Sequence, residues 1–295
     1  MNPRLNRSSI MLAVFAGVIS APLFAQAPPP PPPMLPPAQL DQLVSRIALY
    51  PDPLLAQVLA AATFSNDIPA AAQWADEHHY LTGQDLANAI TGDQLPWDPS
   101  VQALLPFPSV LEMMASDPNW TADLGNAFLA QQPDVMASVQ RERALAANYG
   151  YLRSNGQVVV GAGPYITIAP VNPAFMVVPV YDPGLVFYAP RPGFVVGGAV
   201  RFGYGVSLGG FFSPWGWGAS RFDWGGHAVF INNARWGRTW VNRGTYVHAY
   251  PAIRRPAPGF VRPREAHQME RRSDVERNAA HEGRAVPHEE HRRGR

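Results

Sequence analysis

Proline sits behind an acidic or amide residue at intervals along this chain: Asp52-Pro53, Asp98-Pro99, Asp117-Pro118, Asn172-Pro173 and Asp182-Pro183. Proline has no N–H and a fixed φ, so it suits the first turn of a helix and breaks its interior. An Asp directly before it is a ready helix N-cap. Each pair therefore marks a place where an element starts and across which no regular element runs. With 32 Pro and 25 Gly among 295 residues, much of the chain is turn or irregular, and only part of it can build a core.

Between the breaks, residues 38–150 read as helices. Leu40, Leu43, Val44 and Ile47 lie on one helical face. Tyr50-Pro51 ends that helix, and Asp52 is placed to cap the next, whose stripe is Leu54, Leu55, Val58, Leu59 and Ala62. Helices are also predicted over 70–79 and 85–90, after Asp98-Pro99, behind a capping box at Ser109-Val-Leu-Glu112, after Asp117-Pro118 and after Pro133-Asp134. The result is an all-α unit of about six or seven short helices. After Gly150 the period changes. Residues 158–160, 165–169, 175–181 and 185–188 are short runs rich in β-branched and aromatic residues, which predicts a small antiparallel sheet. Asn232-Asn233 reads as a hairpin turn. The fold class expected is α+β, with a disordered Gly/aromatic- and Arg-rich C-terminal part.

The start of the chain has the order of a secretory signal peptide: Arg4 and Arg7, an apolar run over 10–19, then Ala21-Pro-Leu-Phe-Ala25. Cleavage is expected after Ala25, and residues 28–33 with Pro36-Pro37 form a stiff polyproline spacer. There is no cysteine, so disulfides, thiolate metal sites and a lipid-modified N-terminal Cys are not expected. The chain is read as exported to the periplasm or envelope of a bacterium, and not as a lipoprotein.

Charge is divided unevenly. Residues 38–150 hold 13 acidic residues against Arg46, Arg141 and Arg143, whereas residues 151–261 hold nine Arg against Asp182 and Asp223. The two parts could dock on each other, or the basic part could face an anionic partner. In that basic part Arg221, Arg235, Arg238 and Arg243 interleave with Phe222, Trp224, Trp236 and Trp240. This is the chemistry of stacking on sugars or head groups. The tentative binding residues are Arg221, Trp224, Arg235, Trp236, Arg238 and Trp240. Residues 193–212 are apolar apart from Arg201 and could touch a membrane, though their glycines argue against a stable span.

The order of motifs Ile47-Ala-Leu-Tyr-Pro-Asp-Pro-Leu-Leu55, Ala71-Ala-Gln-Trp74, Trp97-Asp-Pro-Ser-Val101, Phe107-Pro-Ser-Val-Leu111, Trp120-Thr-Ala-Asp-Leu-Gly125 and Ala127 to Met136 resembles an exported bacterial family known as domain-of-unknown-function family 3300. The resemblance runs from about Leu40 to Tyr188 and weakens over the Gly/Trp region. It implies no activity, cofactor or catalytic residue. The chain is expected to divide into a signal peptide (1–25), a Pro-rich spacer (26–37), a family domain (38–190), a Gly/aromatic basic region (191–261) and an Arg/Glu/His tail (262–295).

Two functions stand against each other. In the first, the protein is a non-enzymatic scaffold or binding module whose basic aromatic region contacts an anionic membrane surface, an envelope glycan or another envelope protein, and not nucleic acid. In the second, it is a hydrolase of an envelope polymer using Asp52, Asp98 or Asp182 with a His. No catalytic, metal or cofactor constellation has the spacing the second needs. Adjacent His78 and His79 lack the i, i+4 spacing of a helical metal pair. Tyr50 and Asp52 mark a tentative functional corner.

Overall fold

The computed structural model describes residues 30–193 and 196–247. The expected signal peptide and the Arg-rich tail lie outside them. The architecture is α+β, with the helices concentrated in the first part: α1 (Pro37–Val44), α2 (Asp52–Ala62), α3 (Ile68–Glu77), α4 (Gly83–Gly92), α5 (Pro99–Gln102), α6 (Pro108–Ser116) and α7 (Pro118–Asn148). The helix at the centre is α2. Every residue from Leu54 to Ala62 is buried, as the near-continuous apolar run dictates for a helix with no water-facing side. It is walled by α5, α7 and three strands introduced below.

Helix starts follow the proline punctuation. The Asp98 carboxylate accepts from Ser100 N–H at 2.9 Å, and that of Asp117 from Trp120 N–H at 3.1 Å. The capping box at Ser109 does not form. Helix α6 begins at Pro108 with Phe107 at its N-cap and no side-chain cap bond, because the proline already suits the first turn. The two helices expected either side of Pro133 are one, α7, kinked where Gln131 leaves helical geometry (φ −143°). Pro133 cannot donate to the carbonyl of Leu129. The backbone N–H of Trp240 does so instead, at 3.0 Å, so a distant segment satisfies the acceptor the proline leaves open.

The second part begins with a hairpin of β1 (Val158–Gly161) and β2 (Thr167–Pro170). Then come β3 (Phe175–Met176), β4 (Pro179–Val180) and a single helical turn, α8 (Pro183–Val186), where a fourth strand was expected. The Asp182 carboxylate starts that turn by accepting from Gly184 N–H at 2.8 Å. Strands β5 (Arg201–Phe202) and β6 (Val206–Ser207) return to pair antiparallel with β4 and β3. Two strand pairs thus cross the change of composition near residue 190. A three-stranded sheet follows: β7 (Arg221–Asp223), β8 (Ala228–Ile231) and β9 (Ala234–Arg235). Asn232 and Asn233 both take positive φ (52° and 61°), the two-residue hairpin turn that asparagine favours. Strands β2, β7 and β8 complete the wall around α2.

The Gly/aromatic segment differs from the loosely packed chain its composition suggests. Trp215, Trp217, Trp224 and Trp236 are all buried in the core that contains α2. The Trp215 indole N–H donates to Gln102 Oε1 at 2.9 Å and that of Trp217 to the Ala103 carbonyl at 3.0 Å. Buried Gln57 donates to the Trp215 carbonyl at 2.9 Å. Gly216, at φ +89°, makes this seat possible, since a Cβ there would meet Ile231 and Asn232 at about 3 Å. No helix among the described residues is long and apolar enough to cross a membrane.

Candidate functional site

The corner at residues 47–55 is built around a guanidinium that sequence reasoning did not single out. Arg143, on α7, is fully buried. Its Nε donates to the Ala48 carbonyl at 2.8 Å, Nη2 to Tyr50 O at 2.9 Å, and Nη1 to Ile166 O at 2.9 Å and Asp52 Oδ1 at 2.6 Å. The Trp224 indole donates to Asp52 Oδ2 at 3.3 Å, and its ring lies 5.1 Å from the Arg143 guanidinium. This corrects the expected role of Asp52. It is the first residue of α2, Pro51 is the N-cap, and no side-chain cap bond forms. The carboxylate instead neutralises Arg143, which would otherwise be a buried bare charge. Tyr50 contributes its backbone carbonyl, and burial pushes its phenol up to about 12. The corner fastens α1, α2, α7, β2 and the Trp224 turn together. The one sequence signal for it is Arg141-Glu-Arg143, two of only three Arg in the acidic region 38–150.

The six tentative binding residues separate into two groups. Trp224 and Trp236 are buried. Arg238 turns inward: Nη1 donates to Thr63 Oγ1 at 2.7 Å, and its guanidinium lies 3.6 Å from the Phe64 ring centre. Burial holds its pKa below the usual guanidinium value. Trp240 is half-buried with Arg243 over its ring at 3.8 Å. Arg221 and Arg235 remain outside, and the sheet brings them together. Arg221 on β7 lies opposite Phe230 on β8, and Phe230 lies opposite Arg235 on β9. Cross-strand partners share a face, so Arg221, Phe230 and Arg235 form one row. Both arginines are exposed, and the Arg221 guanidinium lies 4.4 Å from the Phe230 ring centre.

The other carboxylates weighed for catalysis, Asp98 and Asp182, are engaged as helix caps. His78 ends α3, stacked on Trp74 at 3.9 Å with Nδ1 2.8 Å from the Trp74 carbonyl. A groove of mixed polar and apolar lining runs along α1. One cleft of about 940 Å³ lies between α1, the start of α7 and the Pro-rich entry to α1, with Gln42, Arg46, Asn119 and Asn126 among its walls. A second, of about 590 Å³, lies between α1, α7 and α8 and is lined by Asp41, Glu142, Phe187 and Tyr188. The two share Gln42, Ser45, Pro183 and Gly184. Burial, with the Asp41 charge beside it, pushes the Glu142 carboxyl up to about 7.

A protein family described as "Protein of unknown function (DUF3300)" matches residues 36–248. The chain is also similar to the Uncharacterized protein YacH of Escherichia coli (strain K12), 35% identical over 213 residues. That match covers 61% of this chain and 34% of YacH, so the chain spans about a third of the length of that curated relative. No solved structure matches.

Proposed function

The chain belongs to the DUF3300 family, and from that premise we propose that it is an exported, non-enzymatic binding module of the bacterial cell envelope that rests on an anionic membrane surface. One observation carries this reading: Arg221, Phe230 and Arg235 share a row on the exposed face of the β7–β9 sheet. Two permanent cations around a half-buried ring suit lipid phosphate at a membrane interface. The acidic helical part sets the opposite charge elsewhere on the molecule, which orients the sheet toward the anionic surface. The signal-like leader supports export of the protein.

Co-sedimentation with phospholipid vesicles tests the reading. The protein should bind vesicles containing phosphatidylglycerol, bind those of phosphatidylcholine alone far less, and release with salt. Each arginine near such a surface contributes about 1 kcal/mol. Arg221→Ala with Arg235→Ala, about 2 kcal/mol together, should therefore weaken binding about thirtyfold. Equal binding to both vesicle types, or no effect of the double substitution, would overturn it. The alternative, hydrolysis of an envelope polymer, draws its support from Glu142, whose pKa near neutrality suits acid–base chemistry. Turnover of cell-wall polymer abolished by Glu142→Gln would favour that alternative.

A further inference from the structure

The strands that cross the change of composition near residue 190 carry an exposed apolar surface that the arginine row does not include. Strands β3 and β4 run antiparallel to β6 and β5, but the register slips between the two pairs: Met176 lies opposite Val206, and Pro179 opposite Phe202. Val177 and Val178 therefore face three residues, Gly203, Tyr204 and Gly205, which amounts to a β-bulge. Bulges re-aim side chains, and Tyr204, with a glycine on either side, is fully exposed. The β1–β2 hairpin continues the surface. Its inner face buries Val158 and Ile168, and alternation turns Val159 and, one step past β2, Val171 outward. Gln157 Nε2 ties this hairpin to the bulge by donating to the Gly203 carbonyl at 3.0 Å. Val171, Phe175 and Gly205 line one shallow depression of about 200 Å³. Val159, Val171 and Phe175 are 50%, 52% and 43% exposed. Large apolar side chains grouped at the surface in this way mark a contact surface.

Charge says what covers it. Between Glu142 and Asp182, and again between Asp182 and Asp223, the chain has no acidic residue. Exposed Arg201 lies opposite exposed Val180, three residues before Tyr204. Exposed Arg153 is held beside β1, since its neighbour Ser154 accepts from Val160 N–H at 2.9 Å. Cations around an apolar centre suit a lipid interface, where arginine meets phosphate and apolar or aromatic side chains enter the acyl boundary. A second copy of the chain would bring the same arginines against each other. We propose that Val159, Val171, Phe175 and Tyr204 form a second membrane contact, with the Tyr204 ring inserted between head groups and acyl chains. This contact rests on the membrane reading above and adds an apolar anchor to its electrostatic row. The hairpin and the row belong to neighbouring panels of one wall. Strands β2, β7 and β8 all pack on α2, and a Cβ on Gly225, just past β7, would lie 3.6 Å from the Tyr165 ring in the β1–β2 turn. The outer faces of both panels point away from that helix.

The chain has no cysteine, so Tyr204→Cys carrying a polarity-sensitive fluorophore reports on that position alone. Glu112→Cys, at an exposed position of the acidic helix α6, is the control. With vesicles containing phosphatidylglycerol, the label at 204 should shift to the blue and be quenched by a spin label placed just below the lipid head groups. The label at 112 should do neither. Tyr204→Ser should weaken vesicle binding about tenfold, the effect of leaving roughly 60 Å² of apolar surface in water, and Tyr204→Trp should preserve it. The side chain is fully exposed, so both variants should keep the thermal midpoint of the unaltered protein. Vesicle binding that responds to Arg221→Ala with Arg235→Ala, while the label at 204 stays in water and Tyr204→Ser binds normally, would overturn this contact and leave the membrane reading standing. No binding to phosphatidylglycerol vesicles would overturn both. Lipid-free self-association that Tyr204→Ser abolishes, measured by sedimentation velocity, would give the surface to a second copy and overturn the proposal.

Discussion

Asp52 and Asp98 are alike in sequence, each followed by proline at a helix start, but their carboxylates have different partners. Asp98 accepts from the N–H two residues on, a local bond worth about 1 kcal/mol. Asp52 holds a guanidinium contributed from 91 residues away. Asp98→Ala should therefore cost about 1 kcal/mol and Asp52→Ala about 3–5 kcal/mol, since the latter strands a buried charge. Urea denaturation of the two variants checks this, and Asp52→Leu combined with Arg143→Met should recover much of the loss. Glu142 predicts a pH effect of its own. Its folded pKa of about 7 lies above the ordinary 4.5, so between those values the native state holds a proton the unfolded state has lost. Stability then falls as pH rises from about 4.5 to about 7 and stays lower above it. Glu142→Gln should remove that slope and be the more stable form at about pH 8, by on the order of 2 kcal/mol allowing for partial solvation. A Glu142→Gln stability curve parallel to that of the unaltered protein across this range would contradict the prediction.

Elements are set where local chemistry is strong and modified where a distant segment intervenes. The Asp98 and Asp117 caps and the Asn232-Asn233 turn were legible because each bond closes within two or three residues, whereas the helical turn that Asp182 caps was read as a strand. The join between the two halves of α7 was not. Pro133 reads as a helix start, and nothing nearby reveals that the N–H of Trp240 takes over the open Leu129 carbonyl. The tryptophan seats were illegible for a similar reason. Glycine next to tryptophan has the composition of a loose segment, but burial depends on receptors such as Gln57 and Gln102, which are more than a hundred residues away. Helix α7 also carries Gly125 where it crosses α2. A Cβ there would lie 2.1 Å from the Ala62 carbonyl oxygen, so neither backbone can accommodate one without moving. Gly125→Ala gains helix propensity of up to about 1 kcal/mol and should still destabilise by about 3 kcal/mol, as overpacking of two backbones. A thermal midpoint equal to or above that of the unaltered protein would show that the two helices can separate.

The basic part of the chain closes the helical part. Helix α2 is buried on every side only because β2, β7 and β8 complete its wall. Trp215 and Trp217 fill the α5 side, and the ring of Phe64 is covered by Arg238. Burial, and next the Asp98 charge, raise the pKa of Asp67 at this junction, and Arg238 from the basic part offsets them in part. Truncating either buried Trp to Ala costs about 3–5 kcal/mol, and a domain has only about 5–15 kcal/mol in total. Losing both together with the β7–β9 sheet exceeds what the helices can hold. A chain ending at residue 190 is therefore expected to keep helical far-ultraviolet circular dichroism, lose its near-ultraviolet signal, bind a hydrophobic dye and unfold without a cooperative transition. Its amides in α2 should exchange with solvent as fast as those at the helix ends, because the helix has lost one side of its wall. If that shorter chain instead unfolded cooperatively at the midpoint of the full protein, the helices would be a domain in their own right. The Gly/aromatic sheet would then be an attachment to it and not part of its core.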